Sequence, residues 1–411
     1  MSDLLSHPLT LPCGATVPNR ILKSAMSEVM GTPEHGPSEA LPVLYRRWAE
    51  GQVGVSVTGN VMVDRRALGE PANVVIEDDR HIEALSRWAE AGKAGGGHIW
   101  MQLNHPGKQS PRFLSDETVA PSAVGFGPLL AKAFAVPRAL TEAEIEDLIR
   151  RFGVAAGVAA RAGFSGVQVH GAHGYLVSQF LSPHHNRRDD KWGGSLEDRA
   201  RFALSVCAAV REAVGPDLPV SIKINSADFQ KGGMSEAESM EVICALAEAG
   251  IDLVEVSGGT YEAPAMTGRK LKESTRQREG YFLSFVEKLR AQVDVPLCVT
   301  GGFRTAPGMA AAVAEDAADM VGLARTLAIQ PDFPKQVLAG EAPQSLVKRL
   351  STGIKMLDAV SSLDVTWYEN QLALMGRGQP PDPEMATLGS VLRSVWSQGS
   401  QAFKLRRVRN R

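Results

Sequence analysis

Two imidazoles, His170 and His173, and a phenol, Tyr175, fall within one short stretch, Val169-His170-Gly171-Ala172-His173-Gly174-Tyr175-Leu176. Imidazole N–H groups can donate hydrogen bonds to an oxygen that gains negative charge, and a phenol can deliver a proton. Both charge states of an imidazole are open near neutral pH. The intervening glycines let the backbone bend so that all three side chains can face one pocket. A lone His or Tyr at a strand end is usually a packed or capping group, but three on one glycine-bearing turn point to chemistry. A metal site is the competing reading, because the histidines lie three apart. No acidic or cysteine ligand nearby completes a set, and no metal is expected.

The turn leaves an apolar run, Phe164–Val169, that reads as a buried strand. Short apolar runs of this kind recur as Arg20–Met26, Val53–Asn60, His98–Leu103, Gly166–Gly171, Val220–Asn225, Leu253–Ser257, Pro296–Gly301 and Asp319–Gly322. Helix-length amphipathic segments alternate with them. Thr141-Glu142-Ala143-Glu144 is a capping box, followed by Ile145, Leu148, Ile149 and Phe152 at helical spacing. Ser235-Glu236-Ala237-Glu238 opens a second helix that ends near Gly250, and Ser195 caps a third. Strand–helix units in this number predict an α/β chain folded as a closed parallel (β/α)8 TIM barrel. An open doubly wound sheet is the main alternative, but the dinucleotide fingerprint at a first strand–helix turn is absent.

Two segments stand outside the alternation. Asn104–Ala139, after the third strand, is long and rich in Pro, Gly and Ser, a length that usually carries function or caps a site. Beyond about Ala342 the chain adds an extension with Trp367, Tyr368 and Trp396, which either folds over the barrel or joins a subunit interface. The expected division is a barrel over residues 1–345 and an extension over 346–411, in a homo-oligomer.

The C-terminal strand ends of such a barrel form its active face. The first presents Ser24, Met26 and Ser27, the second Thr58, Gly59 and Asn60, and the third Gln102, Asn104 and His105. The fifth carries Lys223 and Asn225. The seventh ends in Thr300-Gly301-Gly302, and the eighth leads to Gly322-Leu323-Ala324-Arg325. Exposed backbone N–H groups with a fixed cation at these last two suit a phosphate.

Composition limits the rest. The chain has 411 residues, 44% hydrophobic and 22% charged, an ordinary globular balance. A formal net charge of −2 gives no reason to expect nucleic acid. The basic run over residues 404–411 reads as a solvated tail. The four cysteines are widely spaced without Cys-x-x-Cys, so no iron–sulfur or zinc site is suggested, and Cys207, Cys244 and Cys298 read as core thiols. No signal peptide or membrane span is indicated, so no membrane partner is expected and the cytoplasm is the default location.

Several motifs in order resemble the old yellow enzyme family of FMN-dependent ene-reductases over roughly residues 5–345. They are Asn19-Arg20-Ile21, Gln102-Leu103-Asn104-His105-Pro106-Gly107, the His170–Leu176 turn, Phe180-Leu181-Ser182-Pro183, Asn186-Arg187-Arg188, Gly193-Gly194-Ser195-Leu196-Glu197 and Gly322-Leu323-Ala324-Arg325. The resemblance implies non-covalent FMN, with NADPH or NADH as reductant. It implies that Gln102 meets the flavin pyrimidine edge and that Lys223 is the cation near the flavin N1–C2=O locus. Ala25, Met26 and Gly59 would line the ring, and Gly301, Gly302, Ala324 and Arg325 would hold the phosphate. His170 and His173 would bind a substrate carbonyl oxygen, and Tyr175 would donate the proton.

The chain departs from the family in places. Ser27 stands where relatives carry Thr or Cys near the flavin C4 oxygen, Ala25 replaces a common Pro, and Val29 stands where some relatives have a pocket Tyr. The four-Cys cluster and second flavin domain of larger relatives are not expected. The implied activity is NAD(P)H-dependent reduction of the C=C bond of small α,β-unsaturated carbonyl compounds. A flavin amine dehydrogenase or demethylase on the same fold is the alternative, and a non-catalytic flavin-binding protein is a further one.

Overall fold

Eight short strands are buried on both faces, which is why they read as continuous apolar runs and not as alternating ones. They are β1 Ile21–Lys23, β2 Val55–Val57, β3 His98–Asn104, β4 Val167–Gly171, β5 Val220–Asn225, β6 Leu253–Ser257, β7 Leu297–Thr300 and β8 Met320–Leu323. All are parallel, and they run β2-β1-β8-β7-β6-β5-β4-β3. The ring closes where β3 pairs with β2 through Val55↔His98. The chain is thus a (β/α)8 TIM barrel. The computed structural model describes residues 3–115, 117–128, 130–263, 265, 279–354, 363–394 and 399, so Trp396 and the basic run 404–411 lie outside the described residues.

The first two strands are shorter than their apolar runs. Residues 24–27 and 58–60 leave the ladder and become the loops of the active face. The three helix starts form as their sequences dictate. Thr141 and Ser235 each complete a capping box with Glu144 and Glu238, and Ser195 accepts from the Asp198 N–H. Each such cap contributes about 1 kcal/mol.

Inside the barrel, side chains two residues apart on a strand share a face. Leu22, Trp100, Leu253 and Cys298 form an apolar floor, to which the N-terminal hairpin adds Leu11 and Val17. One step higher stand Ser24, just past the end of β1, and Gln102, Glu255 and Thr300 on β3, β6 and β7, so the interior turns polar toward the active face. All four cysteines are free. Cys207 and Cys298 are buried, whereas Cys244 is only half-buried, its thiol facing Gln292 at the edge of its helix, so it is not a core thiol.

The long segment after β3 folds over the barrel mouth. Val119–Ala120 pairs with Arg138–Ala139, and Ser110 and Ser115 donate to the carbonyls of Leu68 and Arg66. The extension helix, Leu363–Met375, packs against the helices Ala40–Glu50 and Arg325–Ile329. No helix among the described residues is long and apolar enough to cross a membrane.

Candidate active site

The turn after β4 brings its three side chains together. The His170 ring lies 5.2 Å from that of His173 and 4.8 Å from that of Tyr175, both edge-on. His173 has φ +62, a left-handed conformation unusual for a side-chain-bearing residue. It is held by its own N–H, which donates to Asn225 Oδ1 at 3.1 Å, and by its Nε2, 2.9 Å from Ser257 Oγ. The Ala172 N–H donates to His170 Nδ1 at 3.3 Å, which leaves the ring proton of a neutral His170 on Nε2 as a donor. Burial, reinforced by His173 and the Lys223 ammonium, holds His170 well below the ordinary imidazole range. Burial and Lys223 also push His173 down to about 3. Both are neutral at physiological pH; His170 offers its Nε2–H as a donor, whereas His173 Nε2 is engaged by Ser257 Oγ. Tyr175 is 8% exposed, and burial raises it well above 10, so it carries its proton.

Strand register sets the chemistry beneath. His170 pairs with Lys223, and Lys223 with Glu255, so three functional side chains stand side by side on β4, β5 and β6. Lys223 Nζ lies 3.0 Å from Glu255 Oε1 and donates to Ser24 Oγ at 2.6 Å. Burial alone would raise Glu255, but the Lys223 charge and the Ser24 and Thr300 hydroxyls outweigh it and keep the carboxyl ionised. The other Glu255 oxygen accepts from Gln168 Nε2 at 2.9 Å, and Gln168 Oε1 accepts from Gln102 Nε2 at 2.8 Å. An acceptor-only carboxylate therefore sets the direction of the whole chain and leaves Gln102 Oε1 as an acceptor.

A cavity of about 210 Å³ runs from this network to the ends of β7 and β8. Its walls include Lys223, Thr300, Gly301, Gly302, Ala324 and Arg325, beside Ala25 and His173. Gly301 and Gly302 have φ +121 and +95, and a Cβ on Gly302 would lie 2.5 Å from the Tyr281 ring, so that cradle requires glycine. The N–H groups of Gly302, Ala324 and Arg325 have no partner among the described residues. Free N–H groups, the Arg325 guanidinium (3.9 Å from Asp364) and the buried Lys223 ammonium line this cavity, and Gln102 Oε1 is an acceptor in the adjoining Glu255 network, a set that matches the phosphate and the pyrimidine edge of FMN. The residues present fit that group.

Met26, Ser27 and Gly59 lie on the loops after β1 and β2, outside the residues that line this cavity. Glu28 and Tyr45 both accept from the Gly59 N–H at 3.2 Å, and buried Lys23 donates to the Val57 carbonyl at 2.5 Å, so the loop rests on a polar anchor. The Ser27 hydroxyl meets Glu70 and, at 2.9 Å, Glu369 Oε1 of the extension helix. A hydroxyl has one proton to give, so donation toward a flavin oxygen competes with these carboxylates.

Glu255, Gln168, Tyr261, Glu70 and Glu369 escaped sequence reasoning. The Tyr175 hydroxyl lies 3.0 Å from that of Tyr261. Glu255 did leave a signal, an acid in the middle of the apolar run Leu253–Ser257. A larger cleft of about 1000 Å³ is lined in part by Arg65, Arg66, Arg80 and Arg138, but these are paired with Glu77, Asp64, Asp78 and Glu144, so it offers no uncommitted arginine. Among the described residues, metal-ligand proximity occurs at His184, His185 and Glu262. There the Lys108 ammonium lies 3.4 Å from Glu262 and already supplies the positive charge.

The NADH:flavin oxidoreductase / NADH oxidase family matches residues 5–344. The chain is 38% identical over 358 residues to the NADH-dependent flavin oxidoreductase iliE of Hypocrea jecorina (strain QM6a), covering 81% of this chain and 88% of the relative. It is similar in structure to the old yellow enzyme homologue of Zymomonas mobilis, with TM-score 0.71, 25% identity, and 84% and 94% of the two chains covered. Histamine dehydrogenase from Rhizobium sp. 4-9 is similar over 82% of this chain and 48% of that one, with TM-score 0.71 and 28% identity.

Proposed function

The chain belongs to the NADH:flavin oxidoreductase / NADH oxidase family, that of the old yellow enzymes, and on that premise we propose that it reduces the C=C bond of α,β-unsaturated carbonyl compounds. It is an NAD(P)H-dependent flavin oxidoreductase with FMN as cofactor. When bound, FMN would supply the hydride chemistry that links nicotinamide to substrate. Gln102 and Lys223 would hold the flavin pyrimidine edge, and Gly301, Gly302, Ala324 and Arg325 its phosphate, with Ala25, Met26, Ser27 and Gly59 along the ring.

His170 and His173 donate to the substrate carbonyl oxygen and draw electron density from the β-carbon. Tyr175 delivers its proton to the α-carbon. Nicotinamide and enone use the same pocket in turn, a ping-pong sequence. The observation that carries this reading is the meeting of two neutral imidazoles with a protonated, buried phenol on one turn. Oxidation of an amine requires no such acid, which places amine dehydrogenation second even though histamine dehydrogenase shares the barrel.

The test is anaerobic turnover of NADH with cyclohexenone in deuterated buffer. The reading expects cyclohexanone with one solvent deuterium at the α-carbon. NADH-independent oxidation of N-methylated amines, with no enone reduction, would replace it by the amine reading.

A further inference from the structure

We propose that Tyr261 is the relay through which Tyr175 regains its proton from solvent, so that the two phenols act as one proton wire. This rests on the reading of Tyr175 as the proton donor. Tyr175 is 8% exposed, and among the described residues its hydroxyl has one hydrogen-bond partner, the Tyr261 hydroxyl at 3.0 Å. Tyr261 is 43% exposed. Tyr175 is thus the enclosed member of the pair and Tyr261 the one with surface open to solvent.

The fold holds this pair in place. A parallel bridge joins the His173 backbone to Thr260, stitching the β4 turn to the loop after β6. Thr260 closes a tight turn with Ala263, its N–H donating to the Ala263 carbonyl at 3.0 Å while the Ala263 N–H donates to Thr260 Oγ1 at 3.2 Å. Phe134 of the capping segment packs 6.3 Å from the Tyr261 ring.

The proton count closes. A Tyr175 phenolate would be costly, since burial raises that hydroxyl well above 10. As the α-carbon takes the Tyr175 proton, the Tyr261 O–H therefore breaks toward Tyr175 Oη in the same step, and the Tyr261 oxygen is reprotonated by water. One solvent proton is consumed per alkene reduced, with no change in the number of electrons beyond the hydride. Although the residue is 43% exposed, desolvation of its hydroxyl against Tyr175, with the Glu70 and Glu369 charges adding to it, raises Tyr261 to about 12, so both phenols rest protonated between turnovers.

The test follows reoxidation of NADH-reduced holoenzyme by cyclohexenone under rapid mixing, for wild type, Tyr175→Phe, Tyr261→Phe and Tyr261→His. Tyr261→Phe is expected to load FMN and accept hydride from NADH as wild type does. Its reoxidation should be about tenfold slower, short of the loss from removing the acid itself. The wild-type rate in mixed H2O/D2O should curve as two protons in flight require, and the Tyr261→Phe rate should be linear. Tyr261→His should restore part of the rate, because an imidazole can also pass a proton.

The relay is overturned if Tyr261→Phe keeps the wild-type rate while Tyr175→Phe is slow. It is equally overturned if Tyr261→Phe is slow but keeps the curved isotope response and His gives no rescue, which is the behaviour of a packing residue. If Tyr175→Phe itself reoxidises at the wild-type rate, the donor assignment fails, a result distinct from either of these.

Discussion

Glu255→Gln removes one negative charge from a fully buried network while preserving its shape. In the wild type, Glu255 Oε1 accepts from Ser24 at 2.5 Å and Thr300 at 2.7 Å and lies 3.0 Å from Lys223. Glu255 Oε2 accepts from Gln168 Nε2 at 2.9 Å. An amide can reproduce the first set with its oxygen, but its NH2 then faces the NH2 of Gln168. Gln168 must turn over, which breaks its 2.8 Å bond to Gln102 and turns Gln102 in the same sense. Gln102 then offers N–H donors where the wild type offers an oxygen. At 3.0 Å and an effective dielectric of about 20, the lost ionic attraction is roughly 5–6 kcal/mol. Lys223 keeps its bond to Ser24 at 2.6 Å, so the net loss of stability should be about 3–5 kcal/mol. Two assays read the two effects. The urea midpoint of the apoprotein should fall, and FMN affinity, followed by quenching of flavin fluorescence, should weaken by about 1–3 kcal/mol as the flavin N3–H meets a donor. A variant with the wild-type midpoint and wild-type FMN affinity would refute the reasoning.

Arg325→Ala should purify with little flavin, because a charge-assisted bond to phosphate contributes about 1.5–3 kcal/mol; a fully loaded variant places the phosphate elsewhere. Stability should fall in mild acid. Burial holds His105 at about 4, His173 at about 3, His185 at about 2, and His170 well below 6.5. The unfolded chain takes up these protons first, near pH 6.5, so the stabilisation is complete above that pH and is lost below it, toward the folded-state values, with up to about 1.4 kcal/mol per pH unit for each site. Urea midpoints from pH 8 to 5 check this, and a flat profile contradicts it.

The parts of this fold legible in the sequence are those that one local rule decides. Strands buried on both faces read as apolar runs, and all eight lie where those runs lie. Capping boxes fix the starts of the helices Glu142–Arg161 and Glu236–Glu248. His170, His173 and Tyr175 were visible because one turn carries them all. What stayed hidden depends on register between distant strands. Gln168 looks like an ordinary strand residue until the β3–β4 pairing sets it beside Gln102. Tyr261 lies 86 residues from Tyr175, and only the bridge at His173 and Thr260 makes them neighbours. The contact of Glu369 with Ser27 depends on how the extension packs, which no periodicity reports.

The central claim is tested most directly by separating the two half-reactions in Tyr175→Phe. NADH reduction of the bound flavin requires no proton from this phenol and should proceed near the wild-type rate. Reoxidation of the reduced variant by cyclohexenone should slow by about a hundredfold or more, the usual contribution of a general acid. If Tyr175→Phe instead loses flavin reduction while enone reoxidation stays intact, the turn after β4 is not the proton-delivering site and the account fails.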